Sequence, residues 1–170
     1  MPEPLQGRHQ TPHTYVTSVF HVVFSTKQRT QLIPHAVQPR LWNYLAGIAQ
    51  NHLMRALAIG GTENHVHLLL TFPPDLALAD GVRILKANSS RLMRESSRAF
   101  AWQEGYGAFS VSPSQIEGVK RYIANQAIHH ARRSYDDEFA AMLRAANMCA
   151  APEGARKLGN VRLPSAPALG

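Results

Sequence analysis

Two β-type runs only four residues apart constrain this chain more than any other feature of its sequence. Residues 53–60 (LMRALAIG) and 65–72 (HVHLLLTF) flank the short stretch Gly61-Thr62-Glu63-Asn64. Parallel strands need a crossover of about a dozen residues or more, so runs this close pair antiparallel, as a hairpin. Pro73 and Pro74 then end the second run, because proline cannot donate to a sheet ladder. Helical patterns lie on both sides. Val37, Leu41, Leu45 and Ile48 recur at helical spacing within 35–52, and Val82, Leu85, Leu92 and Met93 within 78–97.

Two more β-type segments bracket this arrangement. Residues 15–26 (YVTSVFHVVFST) are rich in Val, Phe and Thr, and alternation places Phe20, Val22 and Phe24 on one face. Residues 100–111 (FAWQEGYGAFSV) predict a fourth strand with an irregular, glycine-punctuated lead-in. A third long helix is expected from Pro113 to about Arg132, with Ser112 as its cap and Gln115 completing a capping box. A short helix is expected over 136–146. The order β-α-β-β-α-β-α predicts an α+β fold: a ferredoxin-like (RRM-like) antiparallel sheet with helices on one face, plus an extra C-terminal helix carrying Tyr122. Many unrelated activities use this sheet, so function has to be read from side chains.

Composition narrows the class of partner. Lys and Arg number 18 and Asp and Glu 11, so the formal charge is 18 − 11 = +7, and the isoelectric point is near 10.1. A positive surface concentrates phosphate backbones, although a basic protein without such a partner has the same count. Cys149 is the only cysteine, which excludes an intrachain disulfide and a Cys-rich zinc site and suits a reducing compartment. No apolar run approaches the roughly 18 residues that span a bilayer, and the first residues lack the apolar core of a signal peptide. The expectation is a cytoplasmic protein with no membrane partner. No GxxxxGK[ST] phosphate loop occurs, so no nucleotide cofactor is expected. Residues 1–14 read as a flexible lead-in, 15–147 as the folded domain and 148–170 as a disordered tail without periodicity.

Four groups of side chains could carry chemistry. His65-Val66-His67 lies on a strand, where positions i and i+2 share a face, so two imidazoles would form a two-point metal clamp. Two unrelated histidines on an exposed face would give the same pattern. Tyr122 and Gln126 lie one helical turn apart beside the apolar stripe Ile116, Val119, Ile123 and Ala127; an ordinary packing tyrosine fits that position equally. Arg83, Lys86, Ser90, Arg94 and Arg98 line one face of the second helix, with Ser89 and Arg91 beside it. They suit phosphate contacts or a solvated face. Lys27, Gln28 and Arg29 could extend that surface. Phe100, Trp102, Tyr106 and Phe109 would stack on unpaired bases or fill the core.

Five segments in order resemble one family. They are FHVVFSTKQR (20–29), ENHVHLLL (63–70), LKANSSRLM (85–93), AWQEGYGAFSVS (101–112) and YIANQAIHH (122–130). Over Tyr15 to Phe139 the chain resembles the TnpA-like insertion-sequence transposases and the related REP-associated tyrosine transposases, the single-tyrosine HUH type. The resemblance implies His65, His67 and Gln126 as metal ligands, Mg²⁺ or Mn²⁺ as the ion and Tyr122 as nucleophile. Glu63 is the alternative third ligand. It also implies a single-stranded or hairpin DNA substrate and a homodimer whose sheets join, in which the tyrosine helix can complete the partner's site. Lys27, Arg29, Arg83, Lys86, Ser90, Arg91 and Arg94 would contact DNA. Two neutral imidazoles and an amide bring no negative charge, so metal affinity should rise when DNA supplies a phosphate. After Phe139 the sequence departs from the family pattern. A DNA-binding protein of this fold that has lost catalysis is the alternative, and a phosphoesterase using water as nucleophile is a third reading.

Overall fold

The computed structural model describes residues 16–126 and 134–146. The chain divides into two compact units, Met1–Arg133 and Ser134–Gly170. The expected lead-in at 1–14 and tail at 148–170 lie outside the described residues, as does Ala127.

The first unit contains β1 (Val19–Ser25), α1 (Gln38–Asn51), β2 (Arg55–Gly61), β3 (His65–Thr71), α2 (Leu78–Ser96), β4 (Gly107–Ser110) and α3 (Ile116–Ala124). The sheet order is β2-β3-β1-β4, and every pairing is antiparallel. This is the ferredoxin-like order the element pattern predicts, with the hairpin β2-β3 at one end. β1 is shorter than the run that predicts it. The irregular approach to β4 includes an isolated bridge between Thr26 and Trp102.

The pleat divides the apolar residues between two faces. Phe24 and Val22 of β1 join Val66, Leu68 and Leu70 of β3 on the first face. There they meet Leu41, Leu45 and Ile48 of α1 and Val82, Leu85 and Met93 of α2. The second face carries a smaller cluster, Val19, Leu69 and Ile123, with Val119 and Tyr122 packed against it. Thus α1 and α2 cover the first face and α3 covers part of the second. From His65 to Leu70, every residue of β3 is buried, because helices shield both of its sides.

The start of the third helix differs from expectation. Residues Pro113–Gln115 form a 3-10 turn, and Ser112 makes no side-chain cap. Its hydroxyl instead donates to the Gln115 side-chain oxygen at 3.1 Å, so the capping box does not form. The helix is also not continuous through Gln126. It ends at Ala124, and Asn125 caps it with φ −97° and ψ 15°. Asparagine is a weak helix former, and its N–H here is shared between the Arg121 and Tyr122 carbonyls at 3.1 and 3.3 Å.

In the second unit, α4 spans Tyr135–Ala145. Ser134 accepts a hydrogen bond from the Asp137 N–H, and Asp136, Asp137 and Glu138 fill the first turn. Acidic residues there favour the positive end of the helix dipole. The rings of Tyr135 and Phe139 stack at 5.8 Å.

Candidate active site on the second face of the sheet

Alternation along β3 sends Val66 and Leu68 into the main core and turns His65 and His67 to the second face. Both histidines are fully buried, so the reading of two imidazoles on an exposed strand does not describe them. Their ring centroids lie 4.9 Å apart. Burying a polar ring is costly unless hydrogen bonds replace its water, and each ring has such a bond at Nδ1.

For His65 the partner is local. Its Nδ1 lies 2.7 Å from Asn64 Oδ1 and 3.0 Å from Thr62 Oγ1. The Thr62 hydroxyl donates to the same Asn64 oxygen at 3.1 Å. Asn64 also donates through Nδ2 to the Arg29 carbonyl at 3.3 Å. The β2-β3 turn therefore orients the His65 ring and ties it to the basic turn after β1.

For His67 the partner comes from another strand. Its Nδ1 lies 2.9 Å from His21 Nε2. The ladder pairs His21 with Leu69 and Val23 with His67, so the two imidazoles are diagonal neighbours on adjacent strands. Burial, with a smaller contribution from the adjacent His67, lowers the His21 pKa from 6.5 to about 3. His21 is therefore neutral at physiological pH.

With Nδ1 engaged on both rings, Nε2 is the second nitrogen each can offer, and both Nε2 atoms are buried. Two neutral imidazole nitrogens on one strand face, each oriented through its other nitrogen, are a donor set that fits a divalent metal ion.

Helix α3 brings Tyr122 to this face. Its half-buried ring packs edge-on against the imidazoles of His67 and His21, with centroids 5.8 Å and 6.0 Å away. The Tyr122 ring is thus beside His67 within one chain and packs against the second cluster, not the main core. The helix sits close because β2 offers no side chain at Gly60. A Cβ there would lie 2.8 Å from the Ile123 carbonyl oxygen. Gln126, beyond the helix end, is 1% exposed. Glu63, the alternative ligand of the sequence reading, instead pairs with His35 at 2.6 Å.

The expected DNA-contacting residues fall elsewhere. Arg83, Lys86, Ser90, Arg91 and Arg94 line a groove between α2 and the approach to β4, together with Trp102 and Tyr106. Because α2 covers the first face, this groove and the histidine pair lie on opposite sides of the sheet. Lys86 is committed to the groove wall: its ammonium donates to the Gln103 and Gly105 carbonyls, both at 2.7 Å. Burial lowers its pKa, and Glu104 partly opposes that shift. Arg94 donates to the Phe100 carbonyl at 3.1 Å, Arg83 pairs with Asp80 at 3.1 Å, and Ser90 is buried. Lys27 and Arg29 are exposed on a 3-10 turn after β1. Of the four aromatics, Phe100 is buried, Trp102 and Phe109 are intermediate, and Tyr106 is 40% exposed.

His21, Thr62 and Asn64 were not singled out from the sequence. Alternation does place His21 opposite Phe20 and Val22, and that was the available signal. Its pairing with His67 depends on the β1-β3 register.

The class defined here is a ferredoxin-like α+β protein that gathers imidazoles and a phenol on one face of its sheet. Residues 14–126 match the family profile described as "Transposase IS200 like". The chain belongs to this IS200-like transposase family. It is 27% identical over 115 residues to the ISDra2 transposase TnpA of Deinococcus radiodurans, covering 63% of this chain and 82% of that one. Identity is 25% over 123 residues to the transposase for insertion sequence element IS200 of Salmonella typhimurium, covering 67% and 80%. A crystal structure from Deinococcus radiodurans R1, provisionally assigned as a transposase, has a TM-score of 0.56 at 25% identity, covering 70% of this chain and 98% of that one. A REP-associated tyrosine transposase bound to a REP hairpin shares the fold, with a TM-score of 0.54 at 15% identity, covering 72% and 74%.

Proposed function

We propose that this transposase cuts and rejoins single-stranded or hairpin DNA through a covalent 5′-phosphotyrosine on Tyr122. The observation that carries this reading is the half-buried Tyr122 ring, 5.8 Å from that of His67 on the same sheet face. The Tyr122 hydroxyl attacks a backbone phosphorus and gives up its proton. The bond from phosphorus to the 3′ oxygen breaks, and that oxygen leaves as a 3′-hydroxyl. Later a 3′-hydroxyl of another strand attacks the phosphotyrosine, the tyrosine–phosphorus bond breaks, and the DNA is sealed. One phosphodiester is exchanged for another at each step, so no nucleotide is consumed.

His65 and His67, with Gln126 as third donor, would hold Mg²⁺ or Mn²⁺. The ion would supply Lewis acidity toward a phosphate oxygen. The hydrogen bonds at Nδ1 keep the two rings oriented, and the closely packed α3 positions the phenol beside them. Membership in the transposase family supports DNA as the substrate, and the REP-associated relative bound to a REP hairpin supports the hairpin form. A homodimer in a cytoplasmic setting is part of the same reading. The α2 groove would contact phosphates through Arg83 and Arg91, with Ser90 and Arg94 beside them, and Lys86 would hold its wall. Lys27 and Arg29 would add charge at the end of β1. A strand reaching both the groove and Tyr122 has to pass around the sheet.

Labelled single-stranded DNA from the flanks of the gene, incubated with Mn²⁺, tests this reading. A protein–DNA band that survives SDS is expected. Tyr122→Phe should reduce it about a thousandfold or more while DNA binding is retained. Arg83→Ala/Arg91→Ala should do the reverse, weakening binding and flattening its salt dependence. Wild-type yield from Tyr122→Phe would exclude the phenol as nucleophile.

A further inference from the structure

His21 is a buried imidazole that the proposed chemistry does not use, and its position gives it a task. A histidine that binds a metal through Nε2 must carry its proton on Nδ1, and that proton needs an acceptor. For His65 the acceptor is the Asn64 amide oxygen at 2.7 Å. For His67 the atom in that place is His21 Nε2, at 2.9 Å. An imidazole can fill this role only when it is neutral and has its own proton on Nδ1.

The surroundings of His21 meet that condition. Its ring is 6% exposed. It is faced by His67 at 5.1 Å, by Phe109 at 6.4 Å and by Tyr122 at 6.0 Å. Burial among these rings disfavours an imidazolium.

We infer that His21 is a positioning residue that accepts the Nδ1 proton of His67, fixing its tautomer and ring so that the Nε2 lone pair faces the metal position. The inference rests on the metal-binding reading of His65 and His67. The two sites are thereby oriented differently. A turn amide sets His65, whereas the β1-β3 register sets His67. A register slip would remove the acceptor while leaving both histidines on β3.

Calorimetric titration with Mn²⁺ alone separates the two ideas. His67→Ala tests the metal reading: wild-type affinity in this variant would overturn that reading. His21→Phe keeps a flat ring but removes the acceptor, and it should weaken Mn²⁺ binding by about 10- to 100-fold. His21→Gln restores an acceptor near the Nε2 position and should recover most of that loss. Wild-type affinity in His21→Phe, or no recovery in a folded His21→Gln, overturns the inference while the metal reading stands. If His21→Phe fails to fold, the wild-type protein still decides the matter. Long-range ¹H–¹⁵N spectra of the metal-free protein should place the His67 proton on Nδ1, and a proton on Nε2 overturns the inference.

Discussion

The two faces of the sheet are built from the same strands and solve different problems. On the first face, Phe24, Val66, Leu68 and Leu70 meet α1 and α2 in an extended apolar cluster. On the second, the apolar cluster is only Val19, Leu69 and Ile123 with a few partly buried neighbours, and three buried imidazoles lie beside it. Apolar burial stabilises by roughly 25 cal/mol per Å², whereas a buried ring nitrogen gains little beyond the water it gave up. The difference teaches that stability is concentrated on the first face. The second is a polar cluster that the rest of the fold can sustain.

The sharpest way to break this contrast is Phe24→Ala. Phe24 is 1% exposed and packs edge-on against Trp102 at 4.8 Å. The cavity should cost about 3–5 kcal/mol in urea unfolding. A loss under about 1 kcal/mol would show that the first face is not where stability lies.

An effect smaller at each pH unit than the Phe24→Ala loss should appear in metal-free protein. The His21 pKa falls from 6.5 to about 3 on folding, so the unfolded chain binds the proton that the folded chain refuses. Stability is therefore unaffected by this group above pH 6.5 and declines as pH falls from 6.5 toward 3. The slope is at most about 1.4 kcal/mol per pH unit. The difference in unfolding free energy between wild type and His21→Gln, followed across this window, isolates the term. A pH-independent difference would contradict it.

Gly60→Ala should have the smallest effect on stability and a selective one on function. The new Cβ would press on the Ile123 carbonyl, next to Tyr122. A cost of about 1–3 kcal/mol is expected, with a 10- to 100-fold loss of the SDS-stable adduct as the phenol moves. The histidines on β3 should retain Mn²⁺ binding better than adduct formation. Equal losses in both would point to general disruption.

Much of the fold was legible because periodicity is local. Alternation in HVHLLL set His65 and His67 on one face and Val66 and Leu68 on the other. The four-residue gap at Gly61–Asn64 required the hairpin, and helical spacing located α1 and α2. What failed depended on local competition between hydrogen bonds. Ser112 and Gln115 bond to each other through their side chains, so the capping box is replaced by a 3-10 turn. Asn125 interrupts the helix before Gln126. The sequence also held no sign that the Lys86 ammonium donates to the Gln103 and Gly105 carbonyls.

The sequence alone determined the element order, the pairing of His65 with His67 and the basic face of α2, because each follows from the spacing of neighbouring residues. Tertiary structure decided the β1-β3 register that places His21 against His67, the approach of α3 that sets Tyr122 beside them, and the separation of the basic groove from that face. These rest on contacts between residues far apart in the chain. Such contacts depend on how whole faces pack, which no short-range pattern encodes.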